Sequence, residues 1–336
     1  MTRTPLPLVP LHELTPGQIA DFFALLVGRS KGITREGRPY YSCQFRDAKR
    51  TASCMVWGNS TWYEACERQW CDGQFYLIRG LYAEHDKYGG QIDIYDIRPV
   101  TEDDRREGFD PADFTEHSRY DSGALLTELK ELAGQIGDLP LRRLVLTLVE
   151  RHAEPLQRLP ATVNKFYCFY GGLLEHTVSV TRICRHLAGQ YAAHYLELRP
   201  PLNCDLVSAG AILHDFGRLL ELDADRLPAA PTVRGRLLGH VLLTRDLVRD
   251  TARELGDLNP ELVQLLEHII VAHLNLPDWG SPRSPLIPEA LILHHADDLD
   301  ARLEMYVRCL SRDQATGPFT HRDPVLKRHL FKGRTV

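Results

Sequence analysis

The stretch Ala209-Gly-Ala-Ile-Leu-His214-Asp215-Phe-Gly217-Arg218 places an adjacent histidine and aspartate at the end of a strongly apolar run. The apolar residues predict a helix, which Gly217 can end. An imidazole or a carboxylate left unpaired in an apolar interior would cost roughly 2 kcal/mol or more. We therefore expect an inner helix of a helical domain, with partners for both polar groups close to its end.

Similar polar groups recur on the neighbouring predicted helices. Nine of the fifteen histidines fall between residues 176 and 295. A single histidine on an apolar helix is more often a hydrogen-bonded core residue than a metal ligand, but an ordered series of them favours a metal site. The segments are Gly171-Gly-Leu-Leu-Glu-His176, Leu238-Gly-His240, Val271-Ala-His273 and Leu293-His-His-Ala-Asp297-Asp298.

The residue types in this series point to a particular chemistry. Imidazole nitrogen together with carboxylate oxygen suits manganese, iron, nickel or zinc, whereas calcium prefers oxygen ligands alone. Four histidines and two aspartates are enough for two ions, and a bridging carboxylate would hold the ions about 3.5–4 Å apart. Two such ions activate water and neutralise a phosphoryl oxygen. The pattern therefore predicts phosphoester hydrolysis.

The surrounding sequence divides into two regions of different period. From Ile19 to about Val100 the hydrophobic residues alternate as in strands, and five short strands are expected, with a helix between the third and the fourth. This order is that of an OB-fold barrel, although a small sandwich shares most of the pattern. From Ser122 the period is helical. The fold class is thus a two-domain α+β protein, an OB-fold barrel followed by an all-α domain.

The predicted boundaries follow from charge and composition. We expect a barrel domain at 1–105, an acidic linker at 106–121, a helical domain at 122–315 and a basic tail at 316–336. The net charge of −5 excludes a strongly basic nucleic-acid coat. The sequence has no Cys-x-x-Cys pair and no signal peptide, so we expect a cytoplasmic protein with reduced cysteines. It has no run of about 18 apolar residues, so we expect no transmembrane helix. The sequence leaves open whether the chain forms a homo-oligomer.

The order of these histidines and aspartates resembles that of a known superfamily. The order His176, His214-Asp215 and Asp297 is similar to that of the HD superfamily of metal-dependent phosphohydrolases. A narrower resemblance, over about residues 17–312, is to the YhaM family of 3′→5′ exoribonucleases. It rests on Gly171-Gly-Leu-Leu-Glu-His-Thr, Thr232-Val-Arg-Gly-Arg-Leu-Leu-Gly-His, Gly280-Ser-Pro and Glu289-Ala-Leu-Ile-Leu-His-His-Ala-Asp-Asp-Leu-Asp-Ala.

This resemblance implies roles for particular residues. His176, His214, Asp215 and Asp297 would be the core metal ligands, and His240 and His273 would complete a second metal position. Asp215 and Arg218 would be catalytic, since the guanidinium of Arg218 could hold a substrate phosphate. Manganese is the favoured metal, with iron, nickel, cobalt or magnesium as alternatives. Asp298 competes with Asp297 for the ligand role, and only the resemblance decides for Asp297.

The chain also departs from this family. It has Phe166-Tyr167 where relatives commonly carry a His-His pair, and Leu274-Asn275 where His-Gly is common. Neither change removes a core ligand, but both can alter the substrate pocket or the second metal position. Among the other histidines, His294 is expected to orient a metal ligand through a hydrogen bond, without binding the metal itself. The remaining histidines are expected to be surface or packed residues without a role in the site: His186, His194, His268 and His295.

The first hairpin of the barrel carries a local excess of positive charge. Between Arg29 and Arg50 there are seven basic residues, including Arg35, and only two acidic ones. Aromatic residues are interleaved with them. Aromatic side chains can stack bases, although strand aromatics more often fill a core. The candidates for nucleic-acid binding are Arg29, Lys31, Arg38, Tyr41, Arg46 and Trp57.

Together these observations predict a metal-dependent phosphodiesterase that trims single-stranded RNA, or DNA, from the 3′ end and releases nucleoside 5′-monophosphates. One alternative is an HD phosphohydrolase that acts on mononucleotides or cyclic dinucleotides. The other is a non-catalytic single-strand-binding protein with a vestigial metal site.

Overall fold

A computed structural model describes residues 6–34, 36–85, 89–114, 116–224, 226, 229–313, 315–323 and 325–333. The chain forms two compact units, Met1–Glu116 and His117–Val336. Each has a hydrophobic core of its own. Among the described residues, no helix is long and apolar enough to cross a membrane.

The first unit is a closed barrel of five strands, as the alternating pattern predicts. The strands follow one another around the barrel in the order β1-β2-β3-β5-β4, and a short helix lies between β3 and β4. Strand β1 closes the barrel because its first half pairs with β4 and its second half with β2, on either side of a bulge near Leu26. The elements are β1 (Ile19–Ile33), β2 (Pro39–Arg46), β3 (Thr51–Trp57), α1 (Tyr63–Arg68), β4 (Phe75–His85) and β5 (Gly89–Pro99).

The barrel core follows the two-residue period of its strands. Tyr41, Cys43 and Phe45 alternate along β2 and are buried, because successive strand residues point to opposite faces. The Phe45 ring lies 6.0 Å from that of Trp70 and 6.1 Å from that of Tyr76. Phe45 therefore fills the core, which leaves it unavailable for stacking bases.

The acidic segment that follows β5 is part of the first unit. It forms two 3-10 helices, Glu102–Glu107 and Pro111–Phe114. Phe109 and Phe114 are buried together against Phe23 of β1. The carboxylate of Asp104 is buried, and Arg98 donates two hydrogen bonds to it, at 2.5 and 2.7 Å. The unit boundary thus lies at Glu116, later than the predicted one, because two phenylalanines among the acidic residues supply enough apolar surface to pack the segment.

The second unit is helical, apart from a two-stranded pairing of Leu222–Asp223 with Ala230–Pro231. Every residue of α6 from Leu206 to Leu213 is buried, as expected for an inner helix. The helices are α2 (Ser122–Gly134), α3 (Leu139–Arg151), α4 (Ala153–Arg158), α5 (Gly172–His194), α6 (Cys204–Leu213), α7 (Arg218–Glu221), α8 (Val233–Leu255), α9 (Pro260–Ala272) and α10 (Pro288–Arg312).

Two details concern the C-terminal part of this unit. Helix α10 is continuous from Pro288 to Arg312, since no glycine or proline interrupts it after Pro288. The segment after α10 makes specific contacts: Phe319 pairs with Phe331 in a β-bridge, and the Asp313 carboxylate accepts hydrogen bonds from Lys332, at 2.8 Å, and from the backbone of His321. The described part of the basic C-terminal segment is therefore held against its own unit.

Candidate metal centre

Six buried histidine and aspartate side chains converge in the helical unit, and they are the six that the sequence singled out. His176 lies on α5, His240 on α8 and Asp297 on α10, while His214 with Asp215 and His273 follow the ends of α6 and α9. They form two groups in which every ligand atom lies within 4.8 Å of the others. The groups are His176, His214 and Asp297, and Asp215, His240 and His273.

Two glycines let the backbone bring these residues together. A Cβ at Gly217 would lie 2.0 Å from the carbonyl oxygen of His240, so only glycine lets the end of α6 approach α8 this closely. Gly239 has a φ of +71° inside α8 and kinks the helix directly before His240. The backbone N–H of His240 is then free to donate to Glu221 Oε1, at 3.2 Å.

The distances join the two groups into one centre. His176 Nε2 lies 3.1 Å from Asp297 Oδ1, and His240 Nε2 lies 3.1 Å from Asp215 Oδ1. His214 Nε2 lies 3.9 Å from Asp297 Oδ1 and 4.0 Å from Asp215 Oδ2. The adjacent histidine and aspartate therefore place one side chain in each group.

The hydrogen bonds of the imidazoles leave one nitrogen of each ring directed at the centre. His214 Nδ1 donates to the carbonyl of Ala211 at 2.8 Å, and His273 Nδ1 donates to that of Ile270 at 2.7 Å. A proton on Nδ1 leaves a lone pair on Nε2. Five of the six side chains have a buried atom without a hydrogen-bond partner among the described residues: His176 Nε2, His214 Nε2, Asp215 Oδ1, His240 Nε2 and His273 Nε2.

These unpaired atoms fit divalent cations. Buried polar atoms normally have hydrogen-bond partners, so five unpaired ones around a single point indicate that a bound species completes them. Imidazole nitrogen and carboxylate oxygen are a donor set for a first-row divalent metal. Each group offers two imidazoles and one carboxylate, which is a ligand set for one ion.

The pKa shifts of the histidines differ across the centre. Burial lowers the pKa of His176, but the nearby carboxylates of Asp297 and Asp300 outweigh burial and raise it to about 10. Burial and the neighbouring imidazole of His214 lower the pKa of His273 to about 4. Nearby Arg218 and His240 outweigh burial and hold the pKa of Asp215 well below its ordinary value. The centre therefore contains two ionised carboxylates and a neutral His273. When a metal cation binds, its positive charge can replace that of the proton on His176.

Asp300 belongs to this site, although the sequence analysis did not single it out. Its buried carboxylate accepts a hydrogen bond from His176 Nδ1, at 2.9 Å, and another from the hydroxyl of Ser179. Burial and the nearby carboxylate of Asp300 raise the pKa of the Tyr167 hydroxyl. The signal in the sequence was its spacing, because Asp300 follows Asp297 by three residues and lies on the same face of α10.

We expect Asp300→Asn to weaken metal binding, because the amide no longer holds His176 in place with a carboxylate. The loss of such a supporting carboxylate typically costs about 10–100-fold in metal affinity. Metal titration followed by calorimetry measures this effect directly. Asp298→Asn on the same helix is the matched control, and equal affinities for the two variants would contradict the role of Asp300.

The other predicted site residues take different positions. Asp298 belongs to neither group of candidate ligands and accepts a hydrogen bond from Arg302, at 2.7 Å. His294 Nδ1 donates to the backbone carbonyl of His273, at 2.8 Å, so it supports the main chain of a candidate ligand. His186, His194 and His295 are exposed, and His268 accepts a hydrogen bond from the backbone of Leu286.

Arg218 lies beside Asp215 and lines the opening of the centre. Its Nε is 3.6 Å from Asp215 Oδ2, and its Nη1 donates to Glu221. The ion pair with Arg218 and the hydrogen bond with His240 outweigh burial and lower the pKa of Glu221 to about 2. Glu221 is thus a further residue that the sequence did not indicate, and it holds both Arg218 and His240.

The aromatic departures noted in the sequence lie next to the centre. The rings of Phe166 and Tyr167 each lie 5.2 Å from that of His176. A pocket of about 930 Å³ opens over the centre and is lined by Phe166 and Leu274 as well as by ligands of both groups. Its volume is in the range of small-molecule binding sites. One residue of each departure therefore lies in the wall of this pocket.

The candidate nucleic-acid residues of the barrel lie in different surroundings. Arg29 and Lys31 lie over the ring of Tyr41, which is 8% exposed and donates to Glu67 Oε1 at 3.1 Å. Lys31 pairs with the same glutamate. Arg38 and Trp57 are exposed, and Arg46 is partly buried at the end of β2, whereas Arg35 lies outside the described residues. Trp57 is therefore the aromatic candidate with an accessible ring.

The fold and the centre define the class of the helical unit. Residues 173–302 match the model of the HD domain family. The six histidines and aspartates of the two groups all lie within this range. An HD domain implies binding of a divalent metal, and the unpaired ligand atoms of this chain fit one.

The whole chain has relatives of the same length. It is 29% identical to the 3′-5′ exoribonuclease YhaM of Halalkalibacterium halodurans, over 94% of this chain and 93% of that protein. It is 28% identical to YhaM of Bacillus subtilis, over 96% of each. Among solved structures, a domain of replication protein A from Methanococcus maripaludis covers 28% of this chain and 96% of its own length, at 16% identity and a TM-score of 0.23. The HD and YhaM resemblances stated from the sequence are confirmed.

Proposed function

We propose that this protein is a metal-dependent 3′→5′ exonuclease that acts on single-stranded RNA, or DNA, and releases nucleoside 5′-monophosphates. The observation that carries the proposal is the buried centre of six candidate ligands, five of them with an unpaired atom, open to a pocket of about 930 Å³. The likeness to YhaM exoribonucleases over more than nine-tenths of the chain supports the direction of cleavage and the choice of RNA.

We further propose two ions, with manganese favoured. His176, His214 and Asp297 would hold one ion, and Asp215, His240 and His273 the other. When bound, the two ions supply an activated water and neutralise charge on the phosphoryl oxygens. Elemental analysis of the purified protein should find up to two metals per chain, and a single tightly bound metal would leave His240 and His273 with structural roles.

The chain's own residues have separate tasks in this reaction. Asp215 and His214 connect the two groups, and Asp300 keeps His176 oriented. Arg218 lies at the opening, where its guanidinium can hold a non-bridging phosphate oxygen through charge-assisted hydrogen bonds. Glu221 keeps Arg218 in position.

The direct test is product analysis on a single-stranded RNA labelled at one end. With a 5′ label we expect a ladder that shortens progressively, and with a 3′ label we expect immediate release of labelled mononucleotide. Release of a long labelled fragment in the first turnover would contradict an exonuclease. Hydrolysis of mononucleotides or cyclic dinucleotides, without shortening of RNA, would favour the alternative phosphohydrolase, and metal binding without any hydrolysis would favour a binding protein.

The barrel should serve binding of the longer substrate, where its accessible aromatic and basic residues can act. We expect deletion of residues 1–116 to weaken binding of a 20-nucleotide RNA at least about tenfold, since each stacked base contributes about 1–3 kcal/mol. Hydrolysis of a small chromogenic phosphodiester should change little, because the helical unit has its own core. Fluorescence anisotropy and a colorimetric assay provide the two measurements, and an equal loss in both would contradict separate roles.

A further inference from the structure

We propose that Trp279 is the platform on which the 3′-terminal base of the substrate stacks while its phosphodiester lies at the metal centre. This inference rests on the proposed exonuclease function and names the part of the pocket that recognises the terminal nucleotide. Trp279 lines the same pocket as His240, His273 and Asp297. Trp279 is not one of the six candidate ligands, so the proposed metal centre assigns it no role.

The loop that carries Trp279 begins at the centre itself. It starts directly after His273 and contains a short 3-10 helix, Pro277–Trp279. Ser281 is buried, and its hydroxyl donates to the carbonyl of Val271 on α9, at 2.7 Å. Its backbone N–H donates to Leu276 at 3.2 Å, which closes the loop. These hydrogen bonds hold the loop against α9, and so they fix the position of the Trp279 indole relative to His273.

The indole itself is unusually accessible for a tryptophan. Its side chain is 45% exposed, although tryptophan is normally a largely buried residue. Exposed aromatic faces in a binding site are surfaces on which any base can stack, because every base has a π-face. The exposure of Trp279 into a pocket of about 930 Å³ is therefore explained if a base covers it.

Positive charge lies beside the indole. The guanidinium of Arg302 lies over the Trp279 ring, with its central carbon 5.9 Å from the ring centre. Asp298 accepts a hydrogen bond from Arg302 and so holds it in place. Lys165, Arg236 and Arg328 also line the pocket. An aromatic surface with one guanidinium over its ring, in a pocket that these further cations line, has the chemistry that recognises a nucleotide, in which a base is joined to a phosphate.

The sequence motif Gly280-Ser-Pro gains a role from this geometry. Gly280 has a φ of +102°, which the chain needs in order to turn out of the 3-10 helix. Ser281 then anchors the loop to α9. The motif therefore builds the support of Trp279 without contacting the substrate itself.

The first experiment measures base recognition at the 3′ end. Two RNA oligonucleotides are compared, one intact and one that lacks only the 3′-terminal base. For the wild-type chain we expect kcat/KM to be about tenfold lower without the base, equivalent to about 1.4 kcal/mol. For Trp279→Ala we expect equal values on both substrates, and for Trp279→Phe an intermediate ratio. A variant Trp279→Ala that discriminates as strongly as the wild type would overturn the proposal.

A small diester, methyl p-nitrophenyl phosphate, reports on the metal centre in the same variants. We expect Trp279→Ala to hydrolyse it within about twofold of the wild-type rate, because the diester has no nucleobase. If its hydrolysis also falls, the alanine has disturbed the loop next to His273, and the following binding experiment decides the question.

The second experiment measures stacking without turnover. Trp279 is the single tryptophan of residues 117–336, so its fluorescence reports on the pocket. We expect adenosine 5′-monophosphate to lower the fluorescence of the metal-loaded wild-type protein in a saturable way. Trp279→Phe should lose this decrease, whereas Trp62→Phe, which removes a half-buried barrel tryptophan, should keep it. An undiminished decrease in Trp279→Phe would overturn the proposal.

The two proposals can fail separately. If the wild-type chain does not shorten RNA but hydrolyses the small diester, the exonuclease function is wrong. The fluorescence titration then still decides whether Trp279 stacks a nucleobase.

Discussion

Asp215→Ala should lower hydrolysis of both RNA and small diesters at least about a thousandfold. Asp215 Oδ1 lies 3.1 Å from His240 Nε2, and Asp215 is adjacent in sequence to His214, so it belongs to one group of candidate ligands and adjoins the other. A metal pair contributes several kcal/mol of transition-state stabilisation, and each tenfold in rate corresponds to about 1.4 kcal/mol. Steady-state kinetics with added manganese measure the loss.

Two further variants make this result interpretable. Asp215→Asn keeps the volume of the side chain and should lose nearly as much activity. Asp250→Ala replaces an aspartate that is 71% exposed on α8 and should leave activity and metal content unchanged. Circular dichroism should show the same helix content in all three variants. Full activity of folded Asp215→Ala would refute the assignment of the metal centre.

Asp297→Asn should lower activity at least about a hundredfold, whereas Asp298→Asn should lower it less than about fivefold. Asp297 is buried with its Oδ1 3.1 Å from His176 Nε2, and its neighbour is hydrogen-bonded to Arg302 instead. An amide lacks the negative charge with which the Asp297 carboxylate would attract a divalent cation. The pair of variants is closely matched, because it makes the same chemical change at adjacent positions of one helix.

Metal content provides an independent measurement for this pair. We expect Asp297→Asn to retain at most one metal per chain after dialysis, and Asp298→Asn to retain as many as the wild type. If the two variants lost activity to the same extent, or if Asp298→Asn alone lost metal, the choice of Asp297 as the ligand would be wrong.

Much of this fold could be predicted because local patterns dominate it. The two-residue period of segments such as Tyr40 to Phe45 predicts strands, and the helical period from Ser122 onward predicts the all-α unit. Leu206 to Leu213 form the buried inner helix that their apolar run predicts. The acidic segment was harder, because the packing of Phe109 and Phe114 depends on partners more than thirty residues away.

The candidate ligands could be named from the sequence because each interrupts an apolar run with a polar group that needs a partner, and because the family resemblance selected among them. Asp300 and Glu221 could not be named in this way, because acidic residues are common on helix surfaces. Their roles depend on contacts with His176 and His240, which lie far away along the chain. Tyr41 shows the reverse error: its sequence context suggested an accessible aromatic, but the alternation of β2 turns its ring inward, where it meets Glu67.

The sequence by itself determined that a five-stranded barrel precedes a helical domain, and that an ordered set of histidines and aspartates in that domain binds metal. Periodicity and the cost of burying unpaired polar groups are local properties, so one chain is enough to read them. Only the tertiary structure grouped Asp297, and not Asp298, with His176 and His214, divided the six candidate ligands into two groups, and placed Trp279 in the wall of the same pocket. These are questions of direction and distance between separate helices, which are set by packing, and packing has no local signature in the chain.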